Sequence, residues 1–261
     1  NDVATSGAVP KYLSCGFILE EGFPMEDLKK ICQSMAEMAK EAGVHIVTGD
    51  TKVVNRGHGD GVFINTSGVG FVPAGVHLSG ANCKPGDKIL VTGTLGDHGI
   101  TIMSCREELS FSADIKTDAA PLNHLIAEVI KAAPSTRCFR DPTRGGLAST
   151  LNELADQSGV DMVVEEEAIP VKDAVRGACE MLGYDVYQVA NEGKMVCVVS
   201  ADEADAALAA MKANKYGVDA AIIGEVCEKP EDRGPRVSLK TGFGALRIMD
   251  MLVGEQLPRI C

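Results

Sequence analysis

Length, composition and charge limit the classes of protein to which this chain can belong. It has 261 residues, 45% of them hydrophobic, and a formal net charge of −12. A chain of this size can bury a large core and form two domains. An acidic surface makes nucleic acid and anionic membranes poor partners. No apolar run approaches the roughly 18 residues of a membrane helix, so we expect a cytoplasmic protein.

The first part of the chain predicts strands around one long helix. Strands are predicted over residues 12–19, 44–54 and 61–72, and a helix over residues 25–42. Gly43 is a typical helix stop. A loop at residues 82–86, which contains Asn, Pro and Gly, precedes the next strand pattern, so we place a domain boundary near residue 78.

The remainder of the chain predicts a mixed domain. Helices are predicted near residues 97–108, 120–132, 144–157, 171–182 and 203–213. Strands are predicted near residues 88–92, 160–165, 193–200, 219–226 and 235–239. The absence of a regular strand–helix–strand repeat favours an α+β domain over a doubly wound sheet. We therefore predict domains of residues 1–78 and 79–249, followed by an extended, mobile tail of residues 250–261.

One of the nine cysteines differs from the others in its position. The chain has no CxxC pair and no HExxH spacing, so a zinc site is not expected, and at least seven cysteines are interpreted as reduced core residues. Cys261 is the last residue. Two interpretations stay open for it: a chain end without a role, or a thiol on a mobile arm that can enter more than one active site.

A second pattern predicts a helix that begins at an anion site. Asp141 is a typical N-cap, Pro142 suits the first helical position, and Gly145 and Gly146 would let backbone amides approach an anion closely. Arg144 would add a charged contact. A well-capped helix without a ligand would also explain Asp141 and Pro142. The glycine pair costs helix stability, which favours phosphate binding.

Two further polar patterns border predicted strands. Asp50 and Lys52 follow a short apolar run, which we interpret as the end of a buried strand. There they would suit Mg²⁺ and nucleotide phosphates, although a turn with a surface salt bridge is nearly as consistent. Glu192 precedes a strand and could act as a base, or only form a turn. The chain has no GxxxxGK[ST] pattern, which excludes a P-loop nucleoside triphosphatase.

Seven segments together make the whole chain resemble the HypE family of hydrogenase maturation proteins. They are residues 1–3, 16–22, 49–54, 96–99, 141–146, 191–194 and 258–261. The terminal Pro258–Cys261 segment is the specific one, because the wider aminoimidazole ribonucleotide synthetase-like superfamily lacks it. The resemblance implies the two-domain α+β fold of that superfamily. It also implies an incomplete N-terminal domain, since family members carry a segment before the position of Asn1.

The resemblance implies an ATP-dependent carbamoyl dehydratase. A carbamoyltransferase partner, HypF, would load the terminal thiol with a carbamoyl group. The dehydratase would use ATP and Mg²⁺ to convert that group to a thiocyanate, and the cyanide would pass to iron on a HypC–HypD complex for [NiFe]-hydrogenase. The resemblance further implies a homodimer. Two alternatives stay open: a small-molecule ATP phosphotransferase of the same superfamily, and a non-catalytic thiol carrier.

The resemblance also implies roles for individual residues. The catalytic residues it implies are Cys261, Glu192, Asp2 and Lys52. The nucleotide-binding residues it implies are Asp50, Thr51, Asp141, Arg144, Gly145, Gly146 and Asn191. Asp50 and Asp141 would contact Mg²⁺ and the phosphates of the nucleotide. Which carboxylate is the base and which holds the metal stays open.

Overall fold

The chain forms two β-sheets, each accompanied by helices. A computed structural model describes residues 1–106 and 115–252. Within these residues one sheet has three strands and the other has seven. This confirms the α+β fold expected from the sequence. In the described part, no helix is long and apolar enough to cross a membrane.

The three-stranded sheet comes from the first part of the chain. Its elements are α1 (Asp2–Thr5), β1 (Val9–Glu20), α2 (Met25–Ala42), β2 (His45–Val54) and β3 (Val62–Phe71). The central strand, β1, runs parallel to β2 and antiparallel to β3. Helix α2 ends as predicted, because Gly43 takes a left-handed φ of 70°, a conformation in which glycine has no steric cost.

Strand β2 does not have the burial expected from its apolar residues. It is an edge strand, and nine of its ten residues are exposed. Its pairing with β1 continues as far as Val54. The predicted strand over residues 44–54 is therefore confirmed, whereas its expected burial and the placement of Asp50 and Lys52 at its end are wrong. Asp50, Thr51 and Lys52 lie in the middle of an exposed strand, because backbone pairing with β1 carries the strand past them.

The seven-stranded sheet takes its strands from residues 88–248. Its strands are β4 (Lys88–Val91), β5 (Cys138–Arg140), β6 (Asp161–Glu165), β7 (Val196–Val199), β8 (Ala221–Cys227), β9 (Val237–Lys240) and β10 (Leu246–Ile248). The helices are α3 (Asp97–Arg106), α4 (Asn123–Ala132), α5 (Gly146–Ser158), α6 (Asp173–Leu182) and α7 (Ala204–Ala213). The strand order is β10-β9-β6-β8-β4-β7-β5. Within the described part of this sheet, β6 and β9 are the one parallel pair.

Two strands of this sheet were not predicted from the sequence. β5 and β10 have three residues each. Runs this short show no period-2 pattern, since alternation needs about four residues to be recognised. They become strands because β7 and β9 offer free backbone groups at the two ends of the sheet.

Alternating side chains place a separate apolar core on each face of the larger sheet. Ile89 of β4 packs in the core formed with α5 and α6, whereas its neighbour Leu90 packs in the core that contains Leu125 of α4 and Met211 of α7. All four side chains are fully buried. Burial of each such side chain contributes roughly 1.5–3 kcal/mol. The sheet is therefore a rigid support for the turns at its strand ends.

The predicted tail lies mostly beyond the described residues. Residues 250–252 belong to neither a helix nor a strand. Cys261 lies outside the described residues, as do residues 107 and 108 at the predicted end of α3. The predictions made for them stay predictions.

Candidate active site

Carboxylates from separate parts of the chain converge on Glu192, in the turn before β7. Burial of the half-buried Glu192 side chain raises its pKa, and the negative charges of Asp118, Asp141 and Asp2 raise that pKa further. A carboxylate of this kind holds a proton more tightly than a free glutamate and is a stronger base. The arrangement suits proton transfer.

Asn191 anchors the turn that carries Glu192. Its side chain is 1% exposed. Its Oδ1 accepts from the backbone N–H of Gly96 at 2.8 Å, and its Nδ2 donates to the carbonyls of Pro142 at 3.0 Å and Val189 at 2.9 Å. Both Nδ2 hydrogens are therefore used inside the protein, so Asn191 has no side-chain donor left for a nucleotide.

We expect Asn191→Ala to lower the free energy of unfolding by about 3 kcal/mol, because it removes three buried hydrogen bonds and leaves the N–H of Gly96 and the carbonyl of Val189 without their partner. Chemical denaturation measures the change. Asn55→Ala, at an exposed position, is the matched control and should change the stability little. An Asn191→Ala protein as stable as the control would contradict the anchoring role.

Asp118 supports the same turn from the opposite side. Its Oδ1 accepts from the backbone N–H groups of Glu192 at 3.0 Å and Gly193 at 3.2 Å. A Cβ on Gly193 would lie 1.6 Å from the carbonyl oxygen of Asp118, so only glycine allows this approach. The sequence analysis missed Asp118, because it lies in a loop that matches no motif.

Asn1 joins the first residues of the chain to this site. Its Nδ2 donates to the carbonyls of Ala120 at 2.9 Å and Glu192 at 3.4 Å, and its Oδ1 accepts from the backbone N–H of Leu122 at 2.8 Å. The contact brings Asp2, in the first turn of α1, close enough for its charge to act on Glu192, while its catalytic role stays a prediction. The role of Asn1 itself was not predicted.

Asp141 lies at the end of β5 within a network of polar contacts. Its Oδ1 is 3.2 Å from Nη1 of Arg140, and its Oδ2 accepts from the hydroxyl of Thr143 at 2.8 Å. The second guanidinium nitrogen of Arg140 is 2.8 Å from Glu153. Arg140 therefore offsets part of the negative charge of the carboxylates near Glu192. The contacts of Asp141 with Arg140 and Thr143 explain its position without a bound phosphate.

The helix after Asp141 begins later than predicted. Helix α5 starts at Gly146, and its N-cap is Gly145 with a φ of 68°. Asp141 as N-cap and Pro142 as first helical residue are therefore wrong. The reason is tertiary: Pro142 accepts hydrogen bonds from the buried Asn191, which holds the chain in a loop until Gly145.

The glycine pair has a packing explanation in the structure. A Cβ on Gly146 would lie 2.5 Å from the carbonyl oxygen of Tyr187, and one on Gly145 would lie 2.0 Å from Oγ of Ser149. Both residues also have a positive φ. Close packing thus requires both glycines. Their contact with phosphate, and that of Arg144 in the preceding loop, stay predictions.

Asp50, Thr51 and Lys52 do not join the Glu192 cluster in the described residues. Asp50 and Lys52 border a groove on the three-stranded sheet, and Oδ1 of Asp50 accepts from the backbone N–H of Thr51 at 2.8 Å. No group of three or more His, Cys, Asp or Glu side chains within residues 1–106 and 115–252 is placed to hold a metal ion.

A cavity of about 530 Å³ opens beside Glu192. Asn1 and Glu192 are among its polar lining residues, whereas Leu13, Met35 and Met38 line it with apolar side chains. A carboxylate beside an apolar cavity is typical of small-substrate sites, because a few polar groups then fix the orientation of the substrate.

The comparison with known proteins identifies the family. AIR synthase related proteins match in two parts, their N-terminal domain at residues 1–72 and their C-terminal domain at residues 84–235. The carbamoyl dehydratase HypE of Azotobacter vinelandii is 58% identical over 261 residues, which cover all of this chain and 76% of that protein. This chain belongs to the HypE family. It is therefore an enzyme of the carbamoyl dehydratase type that serves hydrogenase maturation.

Two solved structures extend the comparison. A HypE in complex with ATP is 47% identical, has a TM-score of 0.95, and matches 100% of this chain and 78% of that one. A HypE in a HypE–HypF complex is 51% identical, has a TM-score of 0.93, and matches 97% of this chain and 81% of the other. The expected AIR synthase-like fold of the HypE family is thereby confirmed.

Proposed function

We propose that this protein dehydrates a carbamoyl group on Cys261 to a thiocyanate with ATP, and thereby supplies cyanide for the iron of [NiFe]-hydrogenase in the cytoplasm. The observation that carries the proposal is the half-buried Glu192, whose pKa is raised beside three other carboxylates, in a chain of the HypE family. A dehydration that removes protons from nitrogen needs such a base.

The reaction consists of two steps. The carbamoyl oxygen is a poor leaving group, so it first attacks the γ-phosphorus of ATP, and ADP leaves. The phosphorylated oxygen then departs as inorganic phosphate while two protons leave the nitrogen, which forms the C≡N bond. Overall, the thiocarbamate and ATP give thiocyanate, ADP, phosphate and one proton. Glu192 accepts a proton from nitrogen in the second step.

The solved structure of a HypE with ATP supports ATP as the second substrate. We propose that the nucleotide contacts Asp50, Thr51, Asp141, Arg144, Gly145 and Gly146, and that Lys52 approaches the transferring phosphoryl group. Asn191 would act by holding the turn. Mg²⁺ is the usual partner of ATP phosphates, and we propose that Asp50 and Asp141 would contact it when the nucleotide is bound.

Partners are proposed on two grounds. The HypE–HypF complex of a relative supports a carbamoyltransferase of the HypF type as the donor to this protein. The chemistry of the product, a cyanide that must reach iron, supports delivery to a HypC–HypD complex. A homodimer is supported by apolar side chains exposed on the small sheet, of which Val53 is 60% exposed and Phe71 68% exposed.

Intact mass spectrometry tests the proposal. After incubation with the carbamoyltransferase, its substrates and MgATP, we expect the protein to gain a carbamoyl group and then to lose one water. Replacement of ATP by a non-hydrolysable analogue in the second stage should stop the sequence at the carbamoylated form, because the oxygen cannot be phosphorylated. Loss of water without hydrolysable ATP would contradict the mechanism.

A further inference from the structure

We propose that Asp118 is a positioning residue for the dehydration, which holds Glu192 at the substrate through two backbone hydrogen bonds and sets the charge beside it. The inference rests on the proposed function of Glu192. Asp118 lies 74 residues before Glu192 in the sequence and belongs to no recognised sequence motif.

Asp118 bonds directly to the turn that carries Glu192. One oxygen, Oδ1, accepts from two successive backbone groups, the N–H of Glu192 and the N–H of Gly193. The other oxygen, Oδ2, is buried and has no hydrogen-bond partner in the described part of the chain. An unpaired buried carboxylate oxygen is costly. The two backbone hydrogen bonds use only Oδ1, so they do not explain why the second oxygen is kept at this cost.

The segment that carries Asp118 is held by hydrogen bonds of its neighbour Thr117. Oγ1 of Thr117 is 2.8 Å from Nδ1 of His98 and accepts from the backbone N–H of Ala119 at 3.2 Å. His98 is itself buried, at the start of α3. Burial lowers the pKa of His98, and the charge of Asp118 partly opposes this. Asp118 is thus attached to a rigid element, as a positioning residue must be.

Three carboxylates among the described residues raise the pKa of Glu192, and Lys116, Lys172 and Lys194 line a pocket with Asp118. Asp118, Asp141 and Asp2 act on Glu192 directly, and Arg140 lies beside Asp141 and feels the charge of Asp2. Among the three carboxylates, Asp118 makes the largest contribution to the raised pKa of Glu192 and also bonds to its backbone. Substitutions of Asp118 can therefore separate its effect on the position of Glu192 from its effect on the pKa of Glu192.

Two variants separate the two effects. Asp118→Ala removes both the acceptor and the charge, whereas Asp118→Asn keeps a carbonyl acceptor for the two backbone N–H groups, removes the charge and places an amide NH₂ at the position of Oδ2. Asp205→Asn, on the exposed face of α7, is the matched control. Rates of single-turnover dehydration are measured against pH, and the exchange of the backbone N–H groups of Glu192 and Gly193 is followed by hydrogen–deuterium exchange.

We expect Asp118→Ala to lose roughly 100-fold in rate, the scale of a misplaced catalytic group, and to exchange both N–H groups faster. Asp118→Asn should lose less. Its acid limb should move to lower pH, because without the neighbouring negative charge the pKa of Glu192 falls. Unchanged exchange in a folded Asp118→Ala protein would overturn the positioning role. If that variant does not fold, an acid limb of Asp118→Asn at the wild-type pH overturns the proposal.

A parallel measurement on Glu192→Gln keeps the two hypotheses distinguishable. A normal rate in that variant would contradict the proposed role of Glu192 as base, and with it the functional reason for the charge of Asp118. Loss of activity in Glu192→Gln together with unchanged exchange and an unchanged acid limb in the Asp118 variants would overturn the Asp118 proposal alone.

Discussion

Replacement of Cys261 by alanine is expected to abolish both carbamoylation and thiocyanate formation. The reason is chemical: the thiolate is the group that accepts the carbamoyl carbon, and alanine offers no nucleophile in its place. Intact mass and peptide mapping after incubation with the carbamoyltransferase and MgATP measure the outcome. Binding of ATP should remain, since the substitution removes only the acceptor.

The other cysteines provide the control. Cys32 and Cys105 are exposed and are the most accessible competitors, so a Cys32→Ala/Cys105→Ala protein should still be carbamoylated. Buried thiols are poor acceptors: burial raises the pKa of Cys179 to about 11 and also raises that of the fully buried Cys197. A Cys261→Ala protein that gains a carbamoyl group would contradict the assignment. The exposure of Cys32 and Cys105 also shows that the expected seven core cysteines were too many.

Replacement of Glu192 by glutamine is expected to slow dehydration by roughly 100-fold or more, the usual scale for loss of a general base. Glutamine keeps the shape of the side chain but cannot accept the proton from nitrogen. In the wild-type protein the raised pKa of Glu192 means that the active, ionised form is lost as the pH falls through that pKa, at a higher pH than for a free glutamate. The variant should lack this acid limb.

Separate measurements of rate and ATP affinity decide what the Glu192→Gln effect means. Single-turnover thiocyanate formation should fall, while ATP binding measured by calorimetry should change little. Glu228→Gln, at an exposed position of the larger domain, is the matched control. Near-normal thiocyanate formation, or a loss explained wholly by weaker ATP binding, would show that Glu192 is not the base.

The sequence by itself determined the fold class and most of its elements. The long helix at residues 25–42 was predicted with its observed bounds, because apolar residues at helical spacing and a terminal glycine are local properties of the chain. The resemblance carried by short motifs determined the family, and it selected Glu192 and Asp2, which the structure places in one carboxylate cluster. The domain boundary near residue 78 and the role of the tail stay predictions.

Only the tertiary structure decided how the motifs relate to one another. The sequence could not show that Asp50 lies on an exposed edge strand or that α5 begins at Gly146, because strand order and the contacts of Asn191 depend on residues far away in the chain. Asp118 is the clearest case: its two hydrogen bonds reach across more than 70 residues of sequence. Such contacts leave no periodic pattern, since nothing in the local sequence records which distant backbone group a side chain will meet.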